Sequence, residues 1–244
     1  MSYFGNVYDW LSQGDHWTDP GEGVLHRLSE HVQISIVSLA AATAVALPLG
    51  LVLGHFRRGG FVAINLSNIG RAIPALGILL IAVLTFGIGD PPELFTRIGL
   101  TSWPAFLTLV ALAFPPIVTN AYVGVSEIDP DVRDAAKGMG MNGRQVLRDV
   151  EIPLAMPLVM TGIRTSAVAV VATATLLAYV GGGGLGRFII DGSRISYDDP
   201  RVFVGALFVA LLSVCAEIAF GIIERLTVPR SLRGDSLAIE QVPK

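Results

Sequence analysis

The sequence predicts an all-α membrane protein with about five transmembrane helices, its N-terminus outside and its C-terminus inside. Three observations carry this. Of 244 residues, 52% are hydrophobic and 15% charged, and the mean hydropathy is +0.62, which is richer in apolar residues and poorer in charge than soluble domains usually are. Apolar runs long enough to cross a bilayer recur along the chain. The cationic residues divide unevenly between the segments that join those runs.

The first thirty residues carry Asp9, Asp15, Asp19, Glu22 and Glu30 against Arg27, with aromatics at Tyr3, Phe4, Tyr8, Trp10 and Trp17. A signal peptide needs a basic start followed at once by an apolar core, so no cleavage is expected. Tyrosines and tryptophans in an acidic, weakly amphipathic segment fit an anchor at headgroup level, away from the cytoplasm. A disordered tail over residues 1–20 is the competing expectation. Residues 32–54 hold no charge and reach roughly 34 Å at ~1.5 Å per residue, enough for the ~30 Å hydrocarbon core. After the basic turn at Arg57 and Arg58, residues 61–89 form a second apolar run that contains Asn65, Asn68 and Arg71 and is interrupted by Pro74. A loop is expected over 90–103. Residues 104–125 make a third, uncharged span broken by Pro115 and Pro116, residues 154–180 a fourth with Arg164 as its one charge, and residues 202–223 a fifth with Glu217 inside it. Residues 181–200 read as a second long loop, and a polar tail closes the chain.

Five spans put the termini on opposite sides. Arg57, Arg58, Arg133, Lys137, Arg144, Arg148, Arg225, Arg230, Arg233 and Lys244 fall on one side, ten cations against the five of Arg27, Arg97, Arg187, Arg194 and Arg201. The positive-inside rule makes the richer side cytoplasmic. The expected organisation is an extracytoplasmic or interfacial segment over 1–30, a membrane domain over 31–225 with a cytoplasmic loop at 126–157, and a cytoplasmic tail over 226–244.

That loop is the longest polar passage in the chain. Asp129 can cap a helix and Pro130 can take its first position, so a short helix is expected over 131–137, stopped by Gly138 and Gly140. Asn142 offers a second start, and Pro153 and Pro157 mark entry into the fourth span. Helix, glycine turn and helix between two spans suggest a docking surface; the plainer reading is an amphipathic helix packed on its own protein.

Inside the spans, Thr161, Thr165, Ala169 and Thr173 recur every four residues beside Gly162 and Ser166. Small residues let helices approach closely, and hydroxyls facing a cavity can line a polar path. Pro115 and Pro116 remove two backbone donors in mid-span, which is tolerated where a helix borders protein or a cavity. Pro74, Pro115, Pro116, Asn120, Thr173 and Tyr179 are the candidate translocation-pathway residues. Arg164 and Glu217 lie at similar depths and are expected to pair, with Arg71 a further candidate partner, because an unpaired charge in a span costs ~2.5–3.5 kcal/mol on insertion scales. The alternative is that both arginines snorkel to the headgroups.

No catalytic constellation stands out. The chain lacks a Gly-x-x-x-x-Gly-Lys-Ser/Thr phosphate loop, and Gly181–Gly186 follows a membrane helix rather than a strand, so it reads as a flexible or closely packed bend. His16, His26, His31 and His55 offer no paired metal spacing. Cys215, the only cysteine, permits no intrachain disulfide.

The polar loop resembles the EAA loop of permease subunits of ABC importers, whose pattern is Glu-Ala-Ala, three residues, Gly, nine residues, Ile-x-Leu-Pro. Asp134 stands at the Glu position, Ala135 and Ala136 match, Gly140 falls on the glycine, and Val150, Ile152 and Pro153 close the pattern. Further segments are similar to permeases for osmoprotectants such as glycine betaine, choline and carnitine: Ile73–Leu76, Phe114–Tyr122, Gly162–Thr165, Ala172–Thr175 and Gly182–Gly186. The resemblance implies a type I, MetI-like fold and a cytoplasmic coupling helix, with Asp134, Ala135, Ala136, Lys137, Gly140 and Met141 contacting an ATPase. It also implies two ABC ATPase subunits that hold the ATP and Mg, a second permease copy or relative, and a separate extracytoplasmic substrate-binding protein; no cofactor is expected in this chain and no nucleic acid partner. The expected role is a non-catalytic permease subunit in a prokaryotic plasma membrane, importing an osmoprotectant by alternating access. The alternatives are an ABC importer for another small solute such as an amino acid, and, from a different class, a channel or ion-coupled secondary transporter.

Overall fold

The computed structural model describes residues 3–61, 65, 73–87, 102–196, 199–229 and 232, and among these there are helices and turns but no strand. In chain order the elements are α1 (Tyr3–Ser12), α2 (Asp15–Thr18), α3 (Val24–His55), α4 (Ala75–Phe86), α5 (Trp103–Ser126), α6 (Pro130–Gly138), α7 (Gly143–Gln145), a π-helical turn (Val146–Glu151), α8 (Ile152–Thr173), a 3-10 segment (Ala174–Val180), α9 (Gly186–Asp191), a second π-helical turn (Gly192–Ser196) and α10 (Asp199–Thr227). Among the described residues four helical stretches are long and apolar enough to cross a membrane: α3, α5, the continuous run from Gly143 to Val180, and α10 from Pro200 onward. The expected second span is represented by α4, 12 residues long, and Arg71 lies outside the described residues.

α3 begins at Val24, eight residues before the uncharged run. Pro20, Gly21 and Gly23 stop helix upstream, and Asp19 accepts from the backbone N–H groups of Glu22 and Gly21 at 2.7 and 2.8 Å to close that turn. Nothing between Val24 and Val32 breaks the helix, so it runs out past the apolar stretch. The N-terminal segment is helical too, which corrects the expectation of a disordered tail. Val7 and Trp10 pack with Val24, Leu185, Phe188, Val204 and Val209 in one buried cluster; of the aromatic side chains that suggested a headgroup anchor, Trp10 and Trp17 fasten α1 and α2 to Phe188 of α9 and Phe208 of α10, while Phe4 and Tyr8 stay exposed. Trp17 Nε1 also donates to Leu11 O at 2.8 Å.

The centre of the bundle is the seam between α3 and α5. Ser38, Ala42, Ala46, Gly50 and Gly54 recur every four residues along one face of α3, all buried. A Cβ on Gly50 would lie 2.6 Å from Val118 O, and one on Gly54 2.8 Å from Val125 Cβ. The backbones therefore meet as closely as a small-residue stripe permits. Leu79 of α4, Val170 of α8 and Leu177 of the 3-10 segment complete the main core.

α5 passes through Pro115 and Pro116 without interruption, contrary to the expected break. Two donors are lost there, but side chains serve the same stretch: Asn120 Nδ2 donates to Pro116 O at 2.8 Å, and Ser166 Oγ of α8 donates to Ala113 O at 2.9 Å. Neighbouring side chains of this kind are what let proline sit inside membrane helices. The expected loop at 181–200 is likewise mostly helical, because Leu185, Phe188 and Ile190 bury an apolar face. The glycine run before it is close-packed. Gly184, at φ +88°, lies against His31 and Gly183 against the Glu30 carboxylate of α3, and Gly184 N–H donates to Glu30 Oε2 at 2.8 Å.

Candidate functional site: an exposed helix at one end of a hydroxyl-lined cavity

At one end of the bundle α6 projects between α5 and α7. Asp129 caps it through Asp131 N–H at 2.9 Å with Pro130 in the first turn, and Asn142 and Gln145 form a reciprocal capping box at the start of α7, as expected for those residue types. Gly140 turns the chain between them at φ +85°, a conformation that L side chains adopt with difficulty. Only Arg133 and Ala136 of α6 face inward. Asp134, Ala135, Lys137 and Gly140 are exposed and Met141 is half-buried. Lys137 Nζ lies 3.7 Å from Asp134 on the same open face, and Met139 is 78% exposed and Val132 41%. Apolar and acidic groups held open together on a short, doubly capped helix make a surface suited to a partner.

Farther along the bundle, Ile73, Pro74, Ala75, Leu112, Pro115, Pro116, Thr119, Asn120, Thr161, Thr165, Ala169 and Thr173 line one cavity of about 600 Å³. Five of the six candidate pathway residues are thus brought together: Pro74, Pro115, Pro116, Asn120 and Thr173. Tyr179 is not among them; its ring lies under the Arg194 guanidinium, 4.6 Å from centroid to Cζ. The stripe on α8 divides its work. Gly162 and Ser166 are buried against α5, where a Cβ on Gly162 would lie 2.8 Å from Asn120 Cβ, while Thr161 and Thr165 stay exposed to the cavity. Thr161 and Thr165 spend their hydroxyl protons on Pro157 O and Thr161 O at 2.9 and 2.8 Å, and Asn120 gives one of its two amide protons to Pro116 O. What the two threonines offer a passing solute is acceptor oxygen, to which Asn120 adds its own carbonyl oxygen. Among the described residues the lining carries no charged and no aromatic side chain.

Arg164 Nε donates to Glu217 Oε1 at 2.8 Å, and Nη2 reaches the same oxygen. Arg164 Nη1 adds Glu224 Oε2 at 3.1 Å, a partner that sequence reasoning missed. The signal was available, since Glu224 lies two helical turns beyond Glu217 and so on the same face of α10. These groups border a separate hollow with Pro157, Gly221 and Arg225.

Residues 46–228 match the family described as "Binding-protein-dependent transport system inner membrane component". The chain is 33% identical over 217 residues to the glycine betaine/carnitine/choline transport system permease protein OpuCB of Bacillus subtilis (strain 168), covering 89% of this chain and 94% of that one. It is 32% identical over 216 residues to the choline transport system permease protein OpuBB of the same organism, covering 88% and 93%. Among solved structures, an inward-facing MetNI methionine ABC transporter aligns with a TM-score of 0.69 at 23% identity, over 84% of this chain and 96% of that one.

Proposed function

Since this chain belongs to the family of binding-protein-dependent transport system inner membrane components, and is thus a membrane permease subunit of an ABC importer, we propose that its cargo is a quaternary-amine osmoprotectant and that it moves this cargo by alternating access. The observation that carries the reading is the neutral cavity lined by Thr161, Thr165, Asn120 and two prolines of α5. A trimethylammonium group has no proton to donate and a diffuse charge; weak acceptors and apolar walls let it pass without trapping it. Tight recognition of such a group calls for aromatic faces, which are missing among the described lining residues, so selectivity is assigned to a separate substrate-binding protein. Relatives at this similarity carry glycine betaine, carnitine and choline in their names, which supports the same cargo class over an amino acid.

The exposed face of α6 with Asp134, Ala135 and Lys137, backed by the buried Ala136 and continued by Gly140 and Met141 in the turn that follows, is the part assigned to the ATPase subunits. ATP and Mg belong to them, and α6 and the basic loops face the cytoplasm. A second permease, a copy or a relative, completes the path. ATP drives the change only if the ATP-bound dimer prefers the outward-facing state, since a ligand shifts an equilibrium by no more than its differential affinity.

Reconstitution in proteoliposomes with the cognate ATPase and binding protein tests this. Uptake of radiolabelled glycine betaine, choline or carnitine is expected to need ATP inside the vesicle orientation that exposes α6, and methionine is expected not to enter. ATP-independent uptake driven by an ion gradient would refute the importer reading, and methionine uptake without betaine uptake would refute the cargo. In the same assay Gly140→Val is expected to lose most stimulated ATP hydrolysis, because a β-branched residue at φ +85° is strained by roughly 1–2 kcal/mol.

A further inference from the structure

Where α6 meets the bundle, three ionisable side chains from three elements converge away from solvent. Glu151 ends the π-helical turn that leads into α8, and its side chain is 1% exposed. Its Oε2 lies 2.6 Å from Nδ1 of His55, the last residue of α3. Its Oε1 lies 3.0 Å from Nε of Arg133, the charged residue that α6 turns inward; this second contact is an ion pair without hydrogen-bond alignment. Arg133 Nη2 also donates to Val125 O of α5, and Arg57 Nη2, just past α3, donates to Ile128 O at 3.0 Å. The exposed face assigned to docking uses none of these groups, and the cavity lining includes none of them.

Covalently, α6 is joined to α7 and α8 only through the turn at Gly140, and a single turn is a hinge. A push on the open face of α6 could bend that hinge and be lost. The Glu151 carboxylate closes a second connection. It ties α6 through Arg133 and α3 through His55 to the root of α8, while Arg133 binds the end of α5. Two connections on opposite sides of a short helix make a lever arm rather than a flap. A buried carboxylate needs partners in fixed positions to be tolerated, so the joint holds one register and resists sliding.

We propose that Glu151, clasped by His55 and Arg133, is the positioning joint that makes α6, α3, α5 and α8 move together, and so sets how much transport each ATP hydrolysed yields. This rests on the reading of α6 as the ATPase-docking helix. The test uses the complete importer in proteoliposomes with three readouts: ATPase retained on co-purification, stimulated ATP hydrolysis, and solute imported per ATP. For Glu151→Gln the ATPase is expected to stay bound while solute per ATP falls roughly tenfold, within the ordinary range of coupling between sites. His55→Leu is expected to fall similarly, and His55→Asn, which restores a donor near the Nδ1 position, to return to within about twofold of wild type on the same scale. A general packing defect lowers uptake and hydrolysis together and leaves their ratio alone.

An unchanged ratio in Glu151→Gln, or loss of the ATPase from that variant, overturns the joint. Should Glu151→Gln fail to fold, the two His55 variants decide, and equal ratios for Leu and Asn overturn it. Asp134→Lys on the outer face separates this proposal from the reading it rests on. If that variant retains ATPase and full coupling, α6 does not dock; if it loses the ATPase while Glu151→Gln transports normally, α6 docks and the joint is absent.

Discussion

Replacing Gly50 with alanine probes the seam on which the bundle is built. The added Cβ would stand 2.6 Å from Val118 O and 2.7 Å from Ala121 Cβ, both on α5, where ordinary contact begins at 3.4 Å. Neither obstacle is the movable end of a long side chain. α3 and α5 must therefore part by about 0.8 Å, and a gap of that size forfeits roughly a quarter to a half of each dispersion contact across it. Ala42, Ala46, Ile117 and Val118 are all buried along the same seam, so the loss is shared by several residues. Overpacking of this kind destabilises by about 1–3 kcal/mol. The measurement is equilibrium unfolding of the purified protein in mixed micelles, titrated with a denaturing detergent and followed by circular dichroism. Gly77→Ala in α4 is the control, because nothing lies within 4 Å of that position; it is expected to be neutral or to stabilise by up to about 1 kcal/mol through helix propensity. If Gly50→Ala unfolds at the same detergent fraction as wild type, the close approach of the two backbones is wrong.

Three other perturbations address different parts of the molecule. Arg164→Glu places a third carboxylate beside Glu217 and Glu224 and is expected to deplete folded complex in membranes; adding Glu217→Arg is expected to recover it, and a double variant as depleted as the single one counts against pairing. Thr165→Leu fills part of the cavity and removes an acceptor oxygen, so betaine uptake is expected to drop while the ATPase remains attached and stability shifts by less than about 0.5 kcal/mol; undiminished uptake removes this surface from the path. Asp19 is held below its ordinary value of 3.8 by the N–H groups of Glu22 and Gly21. A depressed carboxyl stabilises the folded turn above the unfolded pKa and loses that contribution as pH falls through the folded one. Amide exchange at Gly21 and Glu22 is therefore expected to be slow at neutral pH and to lose protection, relative to α3, only below about pH 4; Asp19→Ala should abolish the difference, and protection that ignores pH in the wild type contradicts it.

Much of the architecture was legible because membrane helices announce themselves by length and lack of charge. The caps at Asp129 and Asn142, the turn at Gly140 and the spacing of Asp134, Ala135 and Ala136 all follow local rules that act within a few residues. The cavity was legible in outline, since Pro115, Pro116, Asn120 and Thr173 each break a local preference inside a span. What stayed hidden depends on distant partners. The ordering of α1 comes from burial against Phe188 and Val204, far along the chain. The two prolines of α5 looked like a break until Asn120 and Ser166 supplied hydrogen bonds to their stretch of the helix. Tyr179 belongs to the 3-10 segment and stacks under Arg194 instead of joining Thr173 at the cavity. His55, Arg133 and Glu151 belong to three separate stretches, and no periodicity within any one of them foretells their meeting.

The seam of α3 and α5 also bears on how the chain is made. Its two halves are encoded some fifty residues apart, so at ordinary synthesis rates of ~5–20 residues per second α3 waits several seconds in the membrane before its counterpart emerges. During that pause Gly50 and Gly54 have only lipid tails beside them, which cannot fill a groove shaped for a polypeptide backbone. The seam can thus close only when α5 follows α3 into the membrane, and a ribosome that halts between them leaves an orphan recognisable by its uncovered glycines.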